Sequence, residues 1–83
     1  MDTEKATKKV EAAQKREDAA KLRRLAAGQQ ANANAHRQQA ERPAYPEQAG
    51  ICVEKASRIE AFAGENIAKA ERLEAEANLL DAD

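Results

Sequence analysis

The sequence predicts an all-α fold: a long, alanine-rich antiparallel helical hairpin of coiled-coil type that dimerises into a four-helix bundle. Three observations carry this. Ala, Glu, Lys, Leu and Arg supply 51 of the 83 residues, above the roughly half that marks long helices and coiled coils. Alanine recurs at every seventh residue in both halves of the chain. Between the halves lies one stretch of strong turn chemistry, Arg42-Pro43-Ala44-Tyr45-Pro46.

The first helix is expected over about residues 3–41, with Asp2 and Thr3 as candidate N-caps. Pro43 drives Arg42 out of the helical region and so stops it. Arg23-Arg24-Leu25-Ala26-Ala27-Gly28 resembles an earlier end, with cations in a last turn and glycine beyond. A structureless run from there to Pro46 would be too long for a compact domain, however. The helix is therefore expected to continue with a weak point at Gly28. After the turn at 42–46, Pro46 suits the entry to a second helix and Glu47 suits its N-terminal dipole. That helix is expected over about 47–80, weakened at Gly50 and Gly64, and the whole of 1–83 reads as one domain.

The heptads fix a register. Ala49, Ala56, Ala63, Ala70 and Ala77 make one seam, and Ala12, Ala19, Ala26, Ala33 and Ala40 the other. Folded at the turn, Ala40–Ala49, Ala33–Ala56, Ala26–Ala63, Ala19–Ala70 and Ala12–Ala77 all have residue numbers adding to 89, as an antiparallel pair requires. Small residues there let the axes approach to the short end of the usual roughly 8–10 Å. The flanks are expected to pair Lys9 with Asp81, Arg16 with Glu74, Asp18 with Lys69 and Leu25 with Phe62, while Glu11 against Glu76 is a misfit. Asn66 falls at a seam position, where an amide tolerates few alternative alignments.

A two-helix alanine layer encloses no core. Leu, Ile, Val and Phe number eleven, and eight of them follow Pro43. Ala6, Ala13, Ala20 and Ala27 form a second small-residue stripe on the first helix, and Val53 and Ile67 flank the seam of the second. These leftovers point to another helical layer: a second hairpin in a homodimer, with a protein partner as the alternative.

Little in the chain suits chemistry. Ser57 is mid-helix, without the strained turn that presents a serine nucleophile, and His36 is the single histidine. The carboxylates read as solvated helix faces, so no catalytic residue, cofactor or metal is expected. The register sets His36 opposite Cys52, but two ligands do not close a zinc site. Cys52 is the only cysteine, which suits a reducing cytoplasm, and no apolar run approaches the roughly 20 residues of a membrane span.

The expected function is accordingly non-enzymatic protein–protein interaction: an accessory subunit, adaptor or small inhibitor of a larger assembly, of a size that phages and plasmids encode. Tyr45 at the turn, with Val10, Val53 and Ile67, are the candidate contacts. The alternative is RNA or DNA binding. Residues 1–42 carry ten cations against six acids, and Lys9, Arg16, Arg23 and Arg37 share one helical edge. Interleaved acids, a pI near 5.9 and only two aromatics weigh against it.

Overall fold

The computed structural model describes residues 2–42 and 46–82. They form two antiparallel helices, α1 (Asp2–Glu41) and α2 (Pro46–Asp81), packed along their lengths. Each begins one residue earlier than the sequence reading places it, and α2 runs one residue further. Pro46 occupies the first position of α2 because its ring fixes a helical φ and its missing N–H is one no helix start can use. Glu47 follows in the first turn, beside the exposed amides. Near the start of α1, the Thr7 hydroxyl donates to the Thr3 carbonyl at 2.8 Å.

Gly28 does not break α1, and no described glycine has a positive φ. Intrinsic propensity loses here because a single glycine costs only about 1 kcal/mol relative to alanine, less than the packing of the helix on either side.

The hairpin is a rod, 66 × 13 × 11 Å, with a radius of gyration of 18.8 Å. A compact chain of this length would measure about 12 Å. Among the described residues the buried side chains are alanines alone: Ala12, Ala19, Ala26 and Ala33 on α1, and Ala56, Ala63, Ala70 and Ala77 on α2. They are the eight inner residues of the two expected seams, while Ala40 and Ala49 next to the turn are half-buried. A straight α-helix would drift about 20° per heptad away from such a seam. Alanines seven apart stay buried at four successive repeats on each helix, the pattern of a left-handed coil of the two helices. No helix among the described residues is long and apolar enough to cross a membrane.

Candidate protein interface

Each seam alanine defines three neighbours with different surroundings. Residues three positions after a seam alanine are half-buried on both helices: Lys15, Leu22, Gln29 and His36 on α1, and Cys52, Ile59, Asn66, Leu73 and Leu80 on α2. Residues four positions after lie on the opposite flank and carry the arginine–carboxylate pairs. Residues one position before, including Leu25 and Phe62, are the exposed rim of the half-buried side, with Asp18 alone among the described ones half-buried.

On the charged flank, Arg16 pairs with Asp81 at 2.5 Å and with the Asn78 carbonyl at 3.2 Å. Arg23 grips Glu74 through two bonds of 2.9 and 2.6 Å, and Arg37 pairs with Glu60. The fourth rung of this ladder, Gln30 and Ile67, is uncharged. The sequence expectation of Arg16 with Glu74 and Lys9 with Asp81 is therefore corrected by one heptad. Side chains lean toward the N-terminus of their own helix. In an antiparallel pair the cation of α1 leans toward the open end and the acid of α2 toward the turn, so each cation reaches the acid one heptad further along. Asp81 consequently goes to Arg16. Asp18 accepts from Gln14 at 3.0 Å.

The misfit of Glu11 against Glu76 is resolved the same way, since Glu76 takes Lys15 at 2.8 Å. Asn66 donates to the Gln29 carbonyl oxygen at 2.9 Å, and Leu22 and Leu73 line one open groove. His36 and Ile59 are both half-buried. Cys52 is not presented to His36 as expected; its thiol lies 4.0 Å from the Gln39 side-chain oxygen. No group of three or more His, Cys, Asp or Glu among the described residues could hold a metal ion.

The ion pairs shift their members' titration in matched directions. Hydrogen bonding to Arg23 holds the Glu74 carboxyl below its ordinary 4.5, and the bond to Lys15 does the same for Glu76. Lys15, through Glu76, is raised above 10.5. A depressed carboxylate stabilises the fold above its unfolded pKa, and that contribution is lost as pH falls through the folded value. A raised lysine loses its contribution only as pH climbs past 10.5. The hairpin should therefore melt at a lower temperature as pH drops below 4.5. Glu74→Gln and Glu76→Gln should each flatten that acid limb in melts followed by circular dichroism. An acid limb as steep in both variants as in the parent would show that the pairs do not persist in solution.

Of the contact residues expected from sequence, Val10 is 69% exposed and points away from the seam, while Val53 and Ile67, 42% and 38% exposed, sit within the charged ladder. They do not form one surface. Tyr45 lies outside the described residues. Of the basic stripe, Arg16, Arg23 and Arg37 are each bound to a carboxylate on α2, and Lys9 is exposed. The stripe Ala6, Ala13 and Ala27 is exposed as well.

The other flank also carries exposed apolar side chains, which the sequence reading does not single out as contacts. Leu25 and Phe62, 53% and 59% exposed, sit beside the half-buried Leu22, Ile59 and Leu73. The signal was present. Leu25 and Phe62 both precede a seam alanine by one, the position that borders the half-buried row, whereas the register alone pairs them with each other. No known protein family, curated protein or solved structure matches this chain.

Proposed function

We propose that this hairpin is a non-enzymatic protein–protein interaction module, an accessory subunit or a small inhibitor or regulator of a larger assembly. One observation carries the reading: among the described residues every buried side chain is an alanine, while seven of the large apolar side chains stand exposed. A chain that places its bulk outside has that bulk available for contact. Nucleic-acid binding would need the basic stripe free for phosphates, and three of its four members are engaged by carboxylates. A reducing cytoplasm is the proposed compartment, since Cys52 is a lone free thiol.

The test is affinity capture from the native host on immobilised hairpin, at low and high salt, with Leu25→Lys/Phe62→Lys as the control surface. A stoichiometric protein retained at both salts by the parent and lost by the control is expected, because apolar contact is insensitive to counterions. Retention of RNA or DNA that collapses at high salt would replace this function with the nucleic-acid one.

A further inference from the structure

From the exposed apolar flank we infer that a second copy of this chain covers it, antiparallel, with α1 against α1 and α2 against α2. The surface area asks for such a cover. The chain exposes 6130 Å², where a compact 9.0 kDa protein would expose about 4,900 Å². The excess of about 1,200 Å² exceeds the roughly 800 Å² per partner of a standard stable interface.

The occupant is identified by self-complementarity. In the register read from the alanine heptads, residue numbers adding to 89 stand at one level of the rod. A two-fold axis crossing the flank between residues 23 and 24 of α1 therefore crosses α2 near Asn66. On α1 it sets Leu22 against Leu25 of the second copy and Glu11 against His36. On α2 it sets Leu73 against Ile59, Leu80 against Cys52, Glu76 against Lys55 and Lys69 against the face of Phe62. Apolar meets apolar and acid meets base, and no like charges on the flank are opposed. Turning the second copy parallel instead would set Glu11 against Glu76 and Leu22 against Asn66. Asn66 lies at the axis, where an amide pins one alignment.

This dimer rests on the proposed interaction role only in treating the exposed flank as contact surface. A monomeric hairpin that still captured a protein would refute the dimer and leave that role standing.

The test is a disulfide. Residues 52 and 80 are about 42 Å apart along α2 at 1.5 Å per residue, and a disulfide needs Cα atoms within about 7 Å. Leu80→Cys cannot bridge to Cys52 within one chain, but in the antiparallel dimer the two meet across the interface, twice. Oxidation of Leu80→Cys should give a covalent dimer. The parent, whose two Cys52 thiols lie at opposite ends, should not, nor should Leu79→Cys, which faces outward. Sedimentation of the parent over about a hundredfold concentration range should show a dimer, and Leu25→Lys should weaken it at least tenfold with helix content retained. A parent that stays monomeric overturns the proposal. So does a dimer in which Leu80→Cys fails to cross-link, or in which the parent or Leu79→Cys cross-links as well.

Discussion

Ala26→Leu and Ala63→Leu are each expected to destabilise the hairpin by about 1–3 kcal/mol through overpacking. For a chain this short that is a fall in melting temperature of roughly 4–8 °C per kcal/mol. Ala26 is 1% exposed and Ala63 3%, at the middle of the seam, with other buried alanines above and below. Three added carbons cannot turn outward from such a position without the axes separating, and separation loosens the neighbouring layers too. Ala61→Leu, on the exposed side of α2, is the control and should change little. Thermal melts by circular dichroism decide it. Equal melting temperatures for all three would mean that the helices do not pack through the alanines.

The second large effect has the opposite sign. Gly28, Gly50 and Gly64 all sit in helical backbone, and a methyl group added at any of them would meet nothing within 4 Å. Replacing each with alanine removes unfolded-state freedom without a steric cost, at about 0.5–1 kcal/mol per site. With no shared neighbours the gains should add, giving about 1.5–3 kcal/mol for the triple variant. Denaturant titration would register this as a higher midpoint at unchanged slope. A triple variant no more stable than the parent would show that one of these glycines is required in another conformation.

Much of the fold was legible because its determinants are local and periodic. The proline pair marks the turn, and a seven-residue alanine repeat states both the seam and its level, since only one antiparallel fold aligns all five pairs. The side-chain partners were less legible. Arg16 finds Asp81 rather than Glu74 because reach and tilt along the axis, which a register of Cα positions omits, decide between acids one heptad apart. The interface residues were hidden for another reason. Val53 and Ile67 flank the seam as Leu25 and Phe62 do. Only the structure shows one flank filled by arginine–carboxylate pairs, while the other carries Lys15–Glu76 and leaves Leu25 and Phe62 exposed.

The alanine seam also makes the molecule nearly one-dimensional. Each layer touches only the layers next to it, so order can spread along the rod like the closing of a zip. Arg37–Glu60 spans 23 residues of chain, whereas Arg23–Glu74 spans 51. The cheaper closure is the one beside the turn, and each later layer then adds only the next few residues to a loop already closed. Assembly should start at Ala33–Ala56 and run outward. The pairs Lys15–Glu76 and Arg16–Asp81 stand at the far end, where a zip with no large side chains to latch it would otherwise begin to open.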